Sequence, residues 1–422
     1  MAGPLFRRRV GAAAGTYASI VLGFLGTVVA ARVFSRDVLG FYALVIASAG
    51  FFQVLLDLTI EEALIKYGFR YVTREDWGRL RQLFRRTFVF KGAGALLLLA
   101  VFAKDVFHHG ELRLPLAIAA ALPIAQAPEG MAAVPLMLHG RYDIRAGFLG
   151  LSMALRLGAI AAGSQFGLAW TIAAIVFAQL VASAAIGAAG LAFFRRFPRE
   201  APRPLAEDAR DILRFIAQST GATGVVSLRS TLTPMLLGIA STPTQVGYFR
   251  VAQSPQQGFN AVSAPIRLVL LAEQTRDWEQ GLSDRVFAGV RRYAVLAGLG
   301  CVVLLPLLLV FMSPLVRLIF GAKYLGAVDA ARIIVVAGAV QFVVGWSKSL
   351  AVTVGRPNLR IWTHGIETLV LLPLAAALGW LWGASGAAAA VLISSVAFAV
   401  AWIVLYARIR HEPPQIAVGP AT

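Results

Sequence analysis

Residues 168–193 read LAWTIAAIVFAQLVASAAIGAAGLAF, from Leu168 to Phe193, without one charged side chain. A helix that is hydrophobic on every side is either the centre of a large core or a membrane span. About 20 such residues, rising 1.5 Å each, cross the roughly 30 Å of a bilayer's hydrocarbon. Repetition decides between the two. Comparable runs recur at about 12–33, 38–60, 87–103, 114–138, 146–164, 213–239, 245–271, 289–312, 329–351, 361–381 and 386–407. Of the 422 residues 58% are hydrophobic and 14% charged, against about 25% charged in soluble domains. The chain is therefore expected to be an all-α polytopic membrane protein with about 12 transmembrane helices, leaving no stretch for a soluble catalytic domain.

The formal net charge of +18 would suggest nucleic acid binding in a soluble protein. Here most Lys and Arg sit between spans, where they set topology, so no nucleic-acid partner is expected. With residues at span edges counted in the adjoining connection, the 39 Lys and Arg divide as 26 on the side of the N-terminus, 6 opposite and 7 inside spans. The positive-inside rule then places both termini in the cytoplasm, with the chain multi-pass in the cytoplasmic (inner) membrane. Arg7-Arg8-Arg9 ahead of the first apolar run resembles a signal peptide, but the run is too long for a signal core and reads as the first span. Cys301, the single cysteine, reads as a small core residue.

Two basic connections, around Lys66 to Arg86 and Arg195 to Arg214, lie on the N-terminal side. Beyond setting topology, they could attract membrane lipids or glycan-assembly enzymes. The second contains Pro198, Pro202 and Pro204 and separates spans six and seven. Leu39-Gly40-Phe41-Tyr42 is echoed by Val246-Gly247-Tyr248-Phe249, 207 residues later, and Gly140-Arg141 by Gly355-Arg356, 215 residues later. Such echoes in equivalent places imply two parallel six-helix halves around a central cavity. The expected parts are an N-terminal six-helix lobe over 1–193, a basic proline-containing cytoplasmic linker over 194–212, and a C-terminal six-helix lobe with a short cytoplasmic tail over 213–422.

Inside the spans the cations Lys91, Arg156, Arg229, Arg250, Arg267, Arg332 and Lys348 outnumber the acids Asp57, Glu129 and Glu367. Each charge near a bilayer's centre costs about 2.5–3.5 kcal/mol and so needs a partner, a cavity or water. Lys91, Arg332 and Lys348 are close enough to span ends to reach the interface. In span eight, Arg250, Gln253, Gln257, Asn260 and Arg267 follow three-and-four spacing and are expected on one helical face, with Pro255 and Pro265 interrupting the helix. Span seven has its own polar side, including Gln218, Ser227, Arg229, Ser230, Thr231 and Thr233, whose hydroxyls either line a hydrated cavity or bond helix carbonyls.

The planar, permanently charged guanidinium suits phosphate. The expected headgroup-binding set is therefore Arg229, Arg250, Arg267, Arg156, Gln253, Gln257 and Asn260. Glu129 and Glu367 are candidates for ion pairing or for coupling. Asp57, Glu61 and Glu62 read as an interfacial cluster facing Lys66. The five histidines show no metal-ligand spacing and no phosphate-cradling Gly-Lys-Ser/Thr motif occurs, so neither catalysis, a cofactor nor a metal is expected.

Arg32-Val33-Phe34-Ser35-Arg36-Asp37-Val38-Leu39-Gly40-Phe41-Tyr42, then Leu56-Asp57-Leu58-Thr59, Val246-Gly247-Tyr248-Phe249, Ile319-Phe320-Gly321-Ala322-Lys323-Tyr324 and Gly355-Arg356, run in an order that resembles the polysaccharide or O-antigen flippase family (Wzx-like). That family is part of the multidrug/oligosaccharidyl-lipid/polysaccharide exporter superfamily. The resemblance implies a two-lobed fold of twelve to fourteen helices. It also implies alternating access, moving a polyprenyl-pyrophosphate-linked saccharide from the cytoplasmic to the outer leaflet for cell-surface polysaccharide biosynthesis, through a cationic cavity. Relatives often carry an acid shortly before the Leu-Leu-Gly ending span seven, whereas Thr233 stands before Leu236-Leu237-Gly238 here. A cation-coupled multidrug exporter of the same superfamily and a non-transporting scaffold for glycan-assembly enzymes are the alternatives.

Overall fold

Long apolar runs bury their backbone polar groups only as helices, and the described residues follow that rule. The computed structural model describes residues 4–57, 60–101, 110–205, 208–354, 356 and 358–411. Inside helices, the side chains of 4–10, 12, 55–57, 92–101, 218–219, 221–223, 225–226, 228, 260–269, 271–272, 279 and 352 fall outside that description. The described residues form α1 (Pro4–Val33), α2 (Arg36–Asp57), α3 (Ile60–Thr73), α4 (Trp77–Val101), α5 (Arg113–Ala119), α6 (Ala121–Leu138), α7 (Tyr142–Gly163), α8 (Leu168–Phe194) and α9 (Asp208–Ala240). They continue with α10 (Pro243–Ala252), α11 (Ser254–Glu279), α12 (Ser283–Ile319), α13 (Val328–Val343), α14 (Ser347–Thr353) and α15 (Asn358–His411). Eight helical stretches among them are long and apolar enough to cross a membrane, and the chain is a multi-pass membrane protein. The last of these, α15, divides at Gly383, whose φ of 57° and ψ of −131° no side-chain-bearing residue adopts without strain.

Contacts divide the chain into two compact units, Met1–Ile239 and Ala240–Thr422. In the first, α1 lies along α7, α6 and α7 both pack on α8, and α2 rests against α5 and α6. The basic connection after α2 is itself structured. Ile60, Leu64, Tyr67 and Tyr71 share a face of α3 and bury with Leu80 and Leu83 of α4 and Val134 and Leu138 of α6.

The expected linker is fastened to this hairpin. The Gly78 amide donates to Glu200 Oε2 at 2.7 Å and the Arg203 amide to the Gly78 carbonyl at 3.1 Å. Arg81 donates to the carbonyls of Phe197 and Pro198. Asp208, opening α9, accepts from the Tyr71 hydroxyl at 3.0 Å and pairs with Arg70 and Arg79. Burial and this bond to a carboxylate push the Tyr71 hydroxyl well above its ordinary range. Phe197, Leu205 and Ile212 bury in the same cluster. The contact division consequently falls after α9, one helix beyond the expected linker.

In the second unit α13 is central, touching α10, α11, α12 and α15. Tyr293, Trp346, Leu350, Phe398 and Trp402 bury together as its core. Two expected spans are interrupted. The run 245–271 breaks at Gln253, between α10 and α11, because Pro255 has no N–H for the Val251 carbonyl. The stripe is thus divided between two helices, with Arg250 on α10, Gln257, Asn260 and Arg267 on α11, and Gln253 at the junction. The run 329–351 likewise breaks over 344–346, between α13 and α14.

Candidate functional site

The first unit contains a polar cavity of about 420 Å³, a volume within the usual range for small-ligand sites. Its walls come from α1 (Thr16), α2 (Gln53), α3 (Glu61), α6 (Gln126, Glu129, Gly130, Ala133), α7 (Tyr142, Arg145, Leu149, Ser152, Met153) and α8 (Gln179, Ile186). Each helix contributes polar groups to a face that would otherwise be apolar. α6 is the most unusual, carrying Pro128 beside Glu129 and a second proline, Pro135. Pro128 withholds an amide from the helix ladder within one residue of the carboxylate.

Two interactions organise the cavity. On one wall, Gln179 is a hub. Its Nε2 donates to Glu129 Oε2 at 2.6 Å and to the Ser183 hydroxyl at 3.1 Å, while its Oε1 accepts from Gln126 Nε2 at 3.2 Å. Both ends of this buried amide are satisfied, which fixes how α6 and α8 approach. On the other wall, Arg145 donates to Glu61 Oε1 at 2.7 Å, a short charge-assisted bond from α7 to α3. Lys91 of α4, 1% exposed, reaches toward the same stretch of α6. A Cβ at Gly130 would lie 2.9 Å from Glu61 Oε2 and 3.8 Å from Lys91 Nζ, so both head groups converge over bare backbone that only glycine leaves clear.

These positions revise two readings. Lys91 is enclosed by protein rather than reaching a span end, as the expected interfacial lysine would. Glu61 does not face Lys66. It pairs with Arg145, while Lys66 lies 4.0 Å from the Phe215 ring centroid. The charges of this cavity are matched, two carboxylates against Arg145 and the neighbouring Lys91, unlike the cation-rich site read from the spans.

Of the headgroup-binding set, Arg156 on α7 and Arg229 on α9 belong to the first unit and are half-buried. Arg250, Gln253 and Gln257, also half-buried, belong to the second. The side chains of Asn260 and Arg267 lie outside the described residues. Around Arg229 the hydroxyls turn back on their own helix: Ser230 donates to the Ser227 carbonyl at 2.7 Å and Thr233 to the Arg229 carbonyl at 2.8 Å. Among the described residues of the expected site, Glu129 lines the cavity. Glu367, 2% exposed, bonds His364 Nδ1 at 3.0 Å within α15, and that imidazole stacks on Phe398. Arg332 bonds Asp329 and the Leu309 carbonyl at the start of α13.

Sequence reading missed Glu61, Arg145, Gln126 and Gln179 as a set. A signal was present in Gln126, because Gln341 stands 215 residues later, at the offset of the Gly-Arg echo. Gln341 accepts from Gln256 at 3.1 Å and donates to Ser395 at 2.9 Å, also joining neighbouring helices. Among the described residues no group of three or more His, Cys, Asp or Glu could hold a metal ion. The cavity offers amides and hydroxyls for hydrogen bonding and one lining cation, Arg145, for an acidic group.

A family model described as polysaccharide biosynthesis protein matches residues 12–271. The inner membrane protein YghQ of Escherichia coli (strain K12) is 30% identical over 125 residues, which make up 27% of this chain and 32% of that protein. The match thus spans about a third of that relative's length. Among solved structures, the chain is similar to the lipid II flippase MurJ in an inward closed conformation, with a TM-score of 0.73 and 12% identity over 95% of this chain and 88% of that one. It is similar also to an inward-facing multidrug resistance MATE family transporter of the MOP superfamily, with a TM-score of 0.64 and 13% identity over 94% and 96%. A third is a MOP superfamily transporter from Pyrococcus furiosus with a binding pocket of reverse polarity, with a TM-score of 0.53 and 15% identity over 96% and 95%. At these identities the likeness establishes the fold.

Proposed function

Because the chain belongs to the polysaccharide biosynthesis protein family, we propose that it is a flippase that moves a polyprenyl-pyrophosphate-linked oligosaccharide from the cytoplasmic to the outer leaflet by alternating access. The observation that carries this reading is the polar cavity inside a membrane bundle, where Gln126, Gln179, Ser152 and Thr16 suit sugar hydroxyls and Arg145 suits an acidic group. Twelve crossings in two lobes, with both termini cytoplasmic, complete the proposal. Arg229, Arg250, Arg267 and Arg156, with Gln253, Gln257 and Asn260, remain the proposed contacts for the pyrophosphate. The substrate and membrane lipids are the proposed partners, with glycan-assembly enzymes feeding or drawing from the flippase.

The deciding experiment is leaflet-resolved translocation of a fluorescent lipid-linked saccharide in proteoliposomes. Correctly inserted protein equilibrates the label between leaflets, and failure to exceed protein-free vesicles sinks the proposal. The two cavity carboxylates, Glu61 and Glu129, favour a second reading, an exporter of organic cations. Accumulation of a cationic dye against an imposed ion gradient would select it.

A further inference from the structure

The end of α8 and the start of the apolar part of α4 meet in the first unit. Phe84 and Phe194 pack at a tilt with ring centroids 4.9 Å apart, which sets Arg85-Arg86 of α4 beside Arg195-Arg196 after α8. All four arginines are exposed. The Arg81 guanidinium of α4 lies 5.3 Å from the Phe194 centroid of α8, and Arg196 lies 4.1 Å from the Phe193 centroid on its own segment. No carboxylate among the described residues pairs with these four. The nearby acids are engaged elsewhere, Glu200 by the Gly78 amide and Arg203, and Asp208 by the α3–α4 hairpin.

The same surface turns abruptly apolar. One turn beyond Arg86, Phe88, Val89 and Phe90 are 65%, 64% and 57% exposed, and Leu191, one turn before Arg195, is 49% exposed. Large apolar side chains left bare on a membrane protein's flank face lipid tails, so both helices cross the hydrocarbon boundary at the level of the arginines. A ligand seated here must be apolar on one side and anionic on the other. Paired guanidiniums favour phosphate oxygens, which they grip with two parallel hydrogen bonds each. The strap from Phe197 to Arg203 is bonded to α4, so Arg195 and Arg196 are held in place before any ligand arrives.

We propose that Arg85, Arg86, Arg195 and Arg196 form a binding site for the phosphate headgroup of an anionic phospholipid, whose tails lie along Phe88 and Phe90. The site is independent of the saccharide cavity and of whether the protein flips lipids. Positive charge that only set topology would not require two tandem pairs to converge from separate helices, nor a fixed strap beneath one of them.

The test uses the full chain purified in mild detergent and native mass spectrometry with phosphatidylglycerol and phosphatidylcholine of identical acyl chains. The wild type should retain phosphatidylglycerol about tenfold more than phosphatidylcholine. Arg85→Gln with Arg86→Gln, and separately Arg195→Gln with Arg196→Gln, should each lose most of that preference. Arg291→Gln with Arg292→Gln, an exposed tandem pair on α12, should keep it. Lysine at all four site positions preserves charge and should bind several-fold more weakly than arginine. Equal retention of the two lipids, or an equal loss when Arg291 and Arg292 are changed, overturns the site in favour of diffuse attraction. Undiminished binding by the lysine variant overturns the guanidinium assignment.

Discussion

In the first unit Gln126 of α6 reaches Gln179 of α8; in the second Gln341 of α13, 215 residues after Gln126, reaches Ser395 of α15, 216 after Gln179. The two units share this amide bridge and differ in what lies beside it. The first opens a cavity between Glu61, Arg145, Ala133 and Ile186. At the corresponding offset from Ile186 the second places Trp402, packed edge-to-face on Trp346 in an aromatic core. Inter-helix hydrogen bonds in lipid position helices at modest net energy, about 1 kcal/mol each. Side-chain volume then decides whether the space they frame is a pocket or a core. One framework thus supplies a ligand-sized opening in one unit and a filled support in the other.

The largest effect expected is from making the first unit resemble the second. Ile186→Trp carries the indole into the cavity wall and should abolish translocation in proteoliposomes while the protein still purifies as a folded species, because overpacking costs about 1–3 kcal/mol. Normal translocation with an indole at that position would show that the cavity is not on the substrate's path. Next comes the ion pair. Arg145→Gln or Glu61→Gln should each slow translocation about tenfold, equivalent to about 1.4 kcal/mol. The double variant should be no slower than either single one, since both remove the same interaction. Additive losses would mean that the two groups act separately. The Arg145 and Glu61 side chains are 43% and 30% exposed, so little change in thermal stability is expected.

Much of this fold was open to inspection in the sequence, because apolar runs and punctuating residues act locally. The run 168–193 is α8 almost to the residue, and Gly383 sits between the runs 361–381 and 386–407. The cavity was less visible for a physical reason. Glu61, Lys91, Arg145 and Gln179 come from four separate helices, and an acid or lysine a few residues from a span end has the same local pattern whether it meets water or a partner. Glu61 was obscured further because the chain starts α3 there instead of leaving the membrane as a loop. Span eight is less regular than its three-and-four spacing predicts, because Pro255 divides it at Gln253 into α10 and α11. The prolines marked a linker between two halves, but not that Glu200 and Asp208 supply acceptors that tie it to the α3–α4 hairpin.

Amide bridges of unequal reach should differ in stability. Gln179→Leu removes bonds to Glu129, Gln126 and Ser183 and leaves a carboxylate with one donor fewer, a loss of about 2 kcal/mol. Gln341→Leu removes bonds to Gln256 and Ser395, both neutral, and should cost about 1 kcal/mol. Thermal unfolding in one detergent measures both. Equal losses would show that the charge on Glu129 adds nothing to the first bridge.

The smallest effect should come from the second unit's own irregularity. Among the described residues, seven buried side-chain polar atoms have no hydrogen-bond partner, and four of them belong to Gln274, Ser347 and Trp402. Gln274 lies one turn from both Leu270 and Trp278, which pack on the aromatic core containing Trp402. Replacing an unpaired buried amide with an apolar side chain of similar length relieves its desolvation cost and retains its volume. Gln274→Leu should therefore leave the unfolding midpoint unchanged or raise it by the equivalent of about 1 kcal/mol. A fall would mean that the amide is satisfied by water, and that the aromatic core of the second unit is wet beside Gln274. The two units would then differ less in how much water they admit than in the volume of the side chains beside their amide bridges.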